Sequence, residues 1–208
     1  MSFKGKKKFS KLRDCESGYA LYASQYDEDR AYLNSFEEDK LILSLGDLKG
    51  KKVLDLGAGT GRLVPTIRNL GGTVSATDLS EEMLKVLKKE YPGVETKVAD
   101  CEELPYEDDE FDTVVASFVI VHLADLRHCF DEVYRVLKDG GRFVLTNINQ
   151  RKAPQLKLKN GEEIVIKSFY HRPLDVIKAL EESFFQVEKE DYVYDGKAWV
   201  TQIIRAGK

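Results

Sequence analysis

Long apolar runs and a set of paired cysteines are both absent from this sequence. No apolar run reaches the roughly 18 residues that a membrane-spanning helix requires, and the N-terminus shows no apolar signal core. Only three residues are cysteine, and Cys15, Cys101 and Cys129 are too widely spaced for a metal-ligand motif. Free thiols in odd number are typical of a reducing compartment. We therefore expect a cytoplasmic protein with no membrane span and no bound metal.

A large net charge is also absent. The 208 residues contain 32 Lys and Arg against 36 Asp and Glu, a formal net charge of -4, which gives no general attraction to nucleic acid or membranes. Basic residues nevertheless concentrate in residues 1–13, MSFKGKKKFSKLR. We expect a solvated, partly disordered tail there, the alternative being an arm that binds polyanions. Residues 1–25 are accordingly predicted as a basic arm and the start of a cap, and residues 26–208 as one domain.

What the sequence does contain is a regular alternation of short buried strands and amphipathic helices. Apolar residues recur at helical spacing over residues 27–48, which predicts one or two helices. Strands are then predicted, with helices between most of them, in KVLDLG, TVSATD, VETKVAD, FDTVVASFVI and RFVLTNIN. Ser80 is the predicted N-cap of the helix in SEEMLKVLKKEYPG. This alternation indicates a parallel sheet with helices on both faces.

The C-terminal third follows a different pattern. Asn160-Gly161 lies between two alternating segments, which is the strongest short signal for a β-hairpin, and we place this insertion at about residues 154–168. Its aromatic exit, SFYHRP, is expected over the carboxyl edge of the sheet as a lid. After a helix in PLDVIKALEESF, FQVEKEDYVYD and AWVTQIIRAG are two strands close enough to pair antiparallel. The prediction is a seven-stranded mixed sheet with an inserted hairpin.

Three glycines follow the first strand of the sheet, in VLDLGAGTGRL. A strand, a glycine loop and a helix together present backbone N–H groups and a helix N-terminus to a ligand. The dinucleotide-binding pattern is G-x-G-x-x-G, whereas here Arg62 occupies the position of its third glycine. A nicotinamide-dependent oxidoreductase is therefore a minor alternative, and the loop predicts close backbone approach to some other ligand.

Three aspartates occur at the ends of three successive strands. Asp55 interrupts a run of Val and Leu, and it suits a cationic group such as the amino group of an amino acid. Asp78 is placed where a carboxylate can accept both hydroxyls of a ribose. Asp100 could accept a hydrogen bond from an exocyclic amine such as that of adenine. The alternatives are that Asp55 only holds the loop and that the others cap the helices that follow.

Four longer motifs resemble those of one enzyme family. VLDLGAGTGRL, ATDLSEEML, VADCEELPYEDDEFDTVVASFVIVHLAD and EVYRVLKDGGRFVL are similar to the successive motifs of the class I S-adenosylmethionine-dependent methyltransferases. The resemblance is closest to the small single-domain branch that includes quinone and biotin-precursor methyltransferases, and it is dense over residues 26–145. It implies a Rossmann-like sheet in the order 3-2-1-4-5-7-6 with an antiparallel last strand, S-adenosylmethionine as cofactor, and methyl transfer.

The resemblance also implies a cofactor site at the carboxyl ends of the strands. Its members would be Tyr26, Asp55, Gly57, Ala58, Gly59, Asp78, Leu79, Met83, Asp100, Cys101, Ser117 and Phe118. In that family pattern Asp55 and the glycines would face the methionine part, Asp78 the ribose, and Asp100 with Cys101 the adenine. Tyr26 would close over the cofactor, unless it is a plain core aromatic residue.

Candidates for a catalytic base are few. An activated methyl donor needs no covalent enzyme intermediate, so the protein must mainly position the acceptor, and a base is needed only if the acceptor loses a proton. His122, in VIVHLAD, is the candidate base, the alternative being a histidine that packs under the cofactor or caps the next helix. Tyr22, Tyr170 and His171 are candidates for the acceptor pocket, and His128 is predicted to lie on the surface.

The methyl acceptor is the least constrained part of the prediction. The segment after the fourth strand reads ASFVIVHL and lacks the Asn/Asp-Pro-Pro-aromatic motif of many nucleic-acid amino methyltransferases. We therefore expect an O, N or C nucleophile on a small or medium metabolite, and nucleic acid is a less favoured partner. A protein or RNA acceptor is the alternative, as is a non-catalytic cofactor-binding chain that activates another protein. A monomer or a homodimer is expected.

Overall fold

A long mixed sheet organises the chain, whose computed structural model describes residues 10–37 and 39–208. The strands are β1 (Lys11–Arg13), β2 (Lys52–Leu56), β3 (Thr73–Asp78), β4 (Glu95–Val98), β5 (Phe111–Ala116), β6 (Leu137–Ile148), β7 (Gln155–Lys157), β8 (Glu163–Ile166), β9 (Gln186–Asp195) and β10 (Ala198–Gly207). The α-helices are α1 (Cys15–Tyr22), α2 (Arg30–Ser35), α3 (Lys40–Leu45), α4 (Val64–Asn69), α5 (Glu81–Glu90), α6 (Arg127–Val136) and α7 (Pro173–Glu182). Short 3₁₀ helices cover Ala23–Asp29 and Ile120–His122.

Seven strands form the main sheet in the order β4-β3-β2-β5-β6-β10-β9. Strands β4, β3, β2, β5 and β6 run parallel, whereas β10 is antiparallel to both β6 and β9. Counted along the chain within this sheet, the order is 3-2-1-4-5-7-6, and the prediction is confirmed. Because the first five strands are parallel, their carboxyl ends meet at one edge of the sheet.

Apolar layers cover both faces of this sheet. Successive side chains of a strand point to opposite faces. Leu54 of β2 accordingly packs with Phe130 of α6 in one buried cluster. The preceding residue, Val53, packs with Ile67 of α4 and Leu87 of α5 in a second buried cluster on the opposite face. The prediction of helices on both faces is therefore confirmed. Among the described residues, no helix combines the length and the apolar character that a membrane crossing needs.

A second, smaller sheet has the order β1-β8-β7. Strands β7 and β8 form the antiparallel hairpin predicted around Asn160-Gly161. Strand β1 adds to β8 in parallel, so Lys11–Arg13, at the end of the tail expected to be partly disordered, are ordered. Strand β8 supplies backbone hydrogen-bond partners for these residues. In addition, Oε1 of Glu162 lies 3.2 Å from Nζ of Lys11 and 3.7 Å from Nη2 of Arg13. Residues 1–9, which hold most of the basic run, lie outside the described residues.

One helix end differs from the sequence prediction and one agrees with it. Helix α6 ends at Val136 rather than at the glycines that follow, because Leu137 already pairs with Phe111 of β5. The glycines then lie within an irregular start of β6, where Gly140 has a φ of +70°. The predicted cap of α5 is confirmed, since the Ser80 hydroxyl accepts a hydrogen bond from the Met83 amide.

The contact between α1 and β8 generates a stability prediction. A Cβ atom on Gly18 would lie 2.8 Å from Cγ1 of Ile166, so Gly18→Val overpacks this contact. We expect a loss of about 1–3 kcal/mol in the free energy of unfolding, measured by urea denaturation. Leu21→Met is the control on the same helix, because Leu21 is 45% exposed, and it should stay within about 0.5 kcal/mol of the parent.

The double variant Gly18→Val with Ile166→Ala tests the cause of that loss. Removing the Ile166 side chain makes room for the valine, so the double variant should cost less than the sum of the two single variants. Strictly additive costs would show that the contact with β8 is not what Gly18 preserves.

Candidate functional site

A cavity of about 430 Å³ lies at the carboxyl edge of the main sheet. The segments after β2, β3, β4 and β5 form one part of its wall, and α1 with the segment after β8 forms another. Eleven predicted site residues line it: Tyr26, Gly57, Gly59, Asp78, Leu79, Met83, Asp100, Cys101, Ser117, Phe118 and His122. Parallel pairing thus brings together residues that are far apart in sequence.

The glycine turn after β2 is needed for both backbone shape and close packing. Gly57, Gly59 and Gly61 have φ angles of +66°, +57° and +88°, a region that residues with a Cβ rarely adopt. A Cβ on Gly57 would also lie 2.5 Å from Cγ2 of Val119, which lines the same cavity. The turn therefore exposes backbone to the cavity. Ala58 is buried and, contrary to the prediction, does not line the cavity, because its amide donates to the Thr77 carbonyl at 2.8 Å.

Asp78 joins the glycine turn to the end of β3. One carboxylate oxygen accepts from the Gly59 amide and the other from the Ser80 amide, both at 2.8 Å. Burial raises the pKa of Asp78, and the two backbone bonds oppose that shift. Each carboxylate oxygen can accept two hydrogen bonds, so each keeps one acceptor position for a ligand.

Asp55 is buried below the turn rather than on the cavity wall. Its side chain is almost fully buried, and Oδ2 has no hydrogen-bond partner. Burial raises the pKa of Asp55 to about 7, with Arg62 opposing the shift and Asp78 and Glu37 adding to it. Arg62 itself forms a buried ion pair with Glu37 at 2.8 Å. Asp55 is therefore not among the residues that line the cavity, and its contact with a cationic group stays a prediction.

The end of β5 forms the floor of the cavity. Phe118 has a φ of +61°, which is a strained conformation for a residue with a side chain, and its amide donates to Thr146 Oγ1 at 2.9 Å. The Arg62 guanidinium lies 5.1 Å from the Phe118 ring centroid. The Ser117 hydroxyl contacts both Arg62 and Glu37. These contacts fix the positions of Ser117 and Phe118 at the floor of the cavity.

His122 lies in the cavity wall between the N-terminal helix and the segment after the hairpin. Its Nε2 is 3.0 Å from the Tyr19 hydroxyl, and its Nδ1 is 3.2 Å from the Lys167 carbonyl oxygen. Burial lowers the pKa of His122, and the bond to Lys167 opposes the shift. Tyr26 also lines the cavity, with its ring centroid 6.0 Å from that of Tyr19 in an edge-to-face arrangement.

The three residues predicted for an acceptor pocket do not line this cavity. Tyr22 is buried against the hairpin, and its hydroxyl donates to Asp29 at 2.6 Å. The Tyr170 ring packs 6.4 Å from Trp199 instead. His171 Nε2 lies 3.0 Å from two carbonyl oxygens, those of Ile120 and Leu123, so this ring holds the chain after β5. His128 is exposed, as predicted.

Several lining residues were missed by the sequence interpretation. They are Asp14, Cys15, Glu16, Tyr19, Leu56, Ala99, Glu102, Val119, Leu123, Ala124, Lys167 and Phe169. Those next to predicted residues could have been found by proximity in sequence. The aromatic exit of the hairpin was an available signal for Phe169. No sequence signal identified Tyr19, because its place depends on α1 packing against β8 and reaching His122.

The lining fits an amino acid joined to a nucleoside. Among the lining residues, the free acceptor positions of Asp78 suit ribose hydroxyls, and the Asp100–Cys101 segment lies on the same cavity, while the unpartnered Asp55 oxygen is buried below the glycine turn. Apolar contacts for a flat base are available from Leu79 and Met83. These groups match the chemistry of S-adenosylmethionine.

Comparisons with known proteins agree with this geometry. A family model described as a methyltransferase domain matches residues 54–145. A demethylmenaquinone methyltransferase from Clavibacter sepedonicus is 35% identical over 128 residues, which is 60% of this chain and 51% of that protein. A malonyl-[acyl-carrier protein] O-methyltransferase from Salmonella typhimurium is 33% identical over 141 residues, 68% of this chain and 56% of that protein. The chain thus spans about half the length of these curated relatives.

A solved structure supports the same fold over nearly the whole chain. The crystal structure of an S-adenosylmethionine-dependent methyltransferase from Aquifex aeolicus is similar with a TM-score of 0.70 and 21% identity, covering 90% of this chain and 97% of that one. Residues 54–145 therefore match a methyltransferase domain, and the chain has the fold of solved S-adenosylmethionine-dependent methyltransferases.

Proposed function

We propose that this chain transfers a methyl group from S-adenosylmethionine to an O, N or C nucleophile of a small or medium metabolite. The observation that carries this proposal is the single cavity on which the glycine turn, Asp78 and the Asp100–Cys101 segment meet. The methyltransferase family supports the reaction class. The small acceptor is supported by the limited volume of the cavity, about 430 Å³.

The proposed division of roles follows the position of each residue. The carboxylate of Asp55 would hold the amino group of the cofactor, Asp78 its ribose, and Asp100 with Cys101 its adenine. When bound, the cofactor supplies a methyl group that is already activated towards nucleophiles. The protein then has to hold the acceptor in line and exclude water, which can lower the barrier by roughly 7–11 kcal/mol in favourable cases.

Aromatic side chains are suited to excluding water from this cavity. Tyr19 and Tyr26 lie on the N-terminal side, Phe118 on the floor, and Phe169 after the hairpin. The Phe169 amide donates to the Val121 carbonyl at 2.7 Å, which fixes that segment to the chain after β5. His122 is the proposed base for an acceptor that must lose a proton. The names of the two curated relatives describe chemically different acceptors, so they leave the acceptor of this chain open.

Calorimetric titration of the purified chain tests the cofactor. S-adenosylmethionine, S-adenosylhomocysteine and NADH should be titrated in parallel under the same conditions. We expect micromolar binding of the first two and no heat from NADH, because the turn lacks the third glycine of the dinucleotide pattern. Binding of NADH alone would overturn the proposed function.

The Asp78→Ala variant tests the ribose contact. A hydrogen bond to a charged group contributes about 1.5–3 kcal/mol, so the affinity for S-adenosylhomocysteine should fall by about 10- to 100-fold. Asp139→Ala is the matched control, since Asp139 is an exposed carboxylate on β6, and its affinity should equal that of the parent. Circular dichroism should establish that both variants are folded. Equal affinity of a folded Asp78→Ala variant would contradict the assigned ribose contact.

The Asp55→Asn variant tests the buried carboxyl through the pH dependence of stability. In the folded state the pKa of Asp55 is about 7, whereas its ordinary value is 3.8. At a pH between these two values, the folded state therefore keeps a proton that the unfolded state has released. The contribution of Asp55 to stability is therefore present below its ordinary pKa and lost as the pH rises towards 7. We expect the parent to lose stability relative to Asp55→Asn between about pH 4 and pH 7, measured by urea unfolding without ligand.

Parallel stability curves for the parent and Asp55→Asn would show that the buried carboxyl keeps its ordinary pKa. The same variant should bind S-adenosylhomocysteine more weakly at pH 8, because a neutral amide attracts a cationic amino group less than a carboxylate does. A variant with parent affinity would place the amino group elsewhere.

A further inference from the structure

The hydrogen bonds of His122 determine which ring nitrogen carries its proton. The Lys167 carbonyl oxygen can only accept, so Nδ1 of His122 must donate to it. In the neutral ring Nε2 then has no proton, and the Tyr19 hydroxyl donates to it. Nε2 has a single lone pair, and Tyr19 already occupies it. A proton from a third group can therefore reach this ring only through the Tyr19 oxygen or after Tyr19 has moved away.

The surroundings favour the neutral forms of both side chains. Burial lowers the pKa of His122 and raises the pKa of Tyr19 well above its ordinary value. At neutral pH the imidazole is therefore a free base and the phenol keeps its proton. The Tyr19 oxygen still has a lone pair that can accept from a ligand. Tyr19 can thus accept a hydrogen bond from a ligand in the cavity while it donates one to His122.

The charge of the cavity wall restricts what can bind beside this pair. Asp14 and Glu16 at the start of α1 and Glu102 after β4 line the cavity, and so does Lys167 after β8. This wall therefore carries three negative groups and one positive group, and its net negative charge repels an anionic acceptor. Asp78 and Asp100 on the cofactor side add negative charge to the same cavity. A neutral acceptor that still carries its proton avoids this repulsion.

We propose that the acceptor is a hydroxyl compound that enters with its proton in place, not a carboxylate, and that Tyr19 passes this proton to His122. The inference deepens the proposed function and rests on it. As the acceptor oxygen forms its bond to the methyl carbon, its O–H bond breaks and the proton moves to the Tyr19 oxygen. The phenolic proton of Tyr19 moves to Nε2, which leaves a neutral tyrosine and an imidazolium. The electron pair of the broken carbon–sulfur bond stays on sulfur, and the imidazolium later releases its proton to water.

Nitrogen NMR of the His122 ring tests the hydrogen-bond assignment without any turnover. In the parent protein we expect a neutral ring with the proton on Nδ1. Tyr19→Phe removes the donor that stabilises the unprotonated Nε2, so the pKa of His122 should rise towards its ordinary value of 6.5. Tyr22→Phe is the matched control on the same helix, because its hydroxyl bonds to Asp29, and it should leave the pKa of His122 unchanged. A proton on Nε2, or equal pKa values in Tyr19→Phe and the parent, would overturn the relay.

A pair of probes tests the acceptor class. With S-adenosylhomocysteine bound, the protein is titrated with 1-naphthol and with 1-naphthoate, which present a hydroxyl and a carboxylate on the same ring. We expect 1-naphthol to shift the His122 signals and to bind at least about tenfold more tightly than 1-naphthoate, because the wall carboxylates repel an anion. Tyr19→Phe should weaken the binding of 1-naphthol and leave that of 1-naphthoate unchanged, because it removes only the hydroxyl partner. Equal or tighter binding of 1-naphthoate, or binding of neither probe, would overturn the inference.

The cofactor is titrated first in the same samples, and this separates the two proposals. A chain that fails to bind S-adenosylhomocysteine refutes the proposed function whatever the tautomer of His122. A chain that binds it but shows the wrong tautomer or the wrong probe preference refutes only the proton relay and the hydroxyl acceptor.

Discussion

The parallel pairing of β2 with β3 and β5 is the constraint on which the rest of the site depends. It brings the glycine turn after β2, Asp78 at the end of β3 and Ser117 after β5 to one edge. None of these side chains could form a site from its own element alone. The backbone bonds from Gly59 and Ser80 to Asp78 then lock the turn to the neighbouring strand. The order of the strands in the sheet thus determines the geometry of the site.

The part of the cavity formed by the segments after β2, β3, β4 and β5 was largely predictable from the sequence because its signals are local. A strand that ends in a glycine turn, and a capped helix after Ser80, specify their conformations within a few residues, and β3 and β10 have the predicted bounds. The part formed by α1 and the segment after β8 depends on contacts between distant segments. Tyr22 and His171 have the residue types expected in a pocket, but Asp29 and two backbone carbonyls hold them elsewhere. Tyr19 gained its place only through the packing of α1 on β8.

Several features of the site oppose folding rather than favour it. Asp55 is a buried carboxyl with an unpartnered oxygen, and Phe118 adopts a left-handed backbone conformation. The buried pair of Arg62 and Glu37 carries the desolvation cost of two charges removed from water. The apolar layers on the two faces of the sheet, by contrast, are made of buried hydrophobic side chains. Strained backbone and unpartnered polar groups are often found at binding sites.

The small sheet β1-β8-β7 has a consequence for the order in which the molecule assembles. Lys11 pairs with Ile164, so β1 can form only after β8, which is synthesised about 150 residues later. Closing so long a loop is entropically costly and gives the contact a high sequence separation. The central parallel strands can pair among themselves before that event. The wall that contains Tyr19 should therefore be completed last during synthesis, and a nascent chain that already has its glycine turn would still have an open cavity.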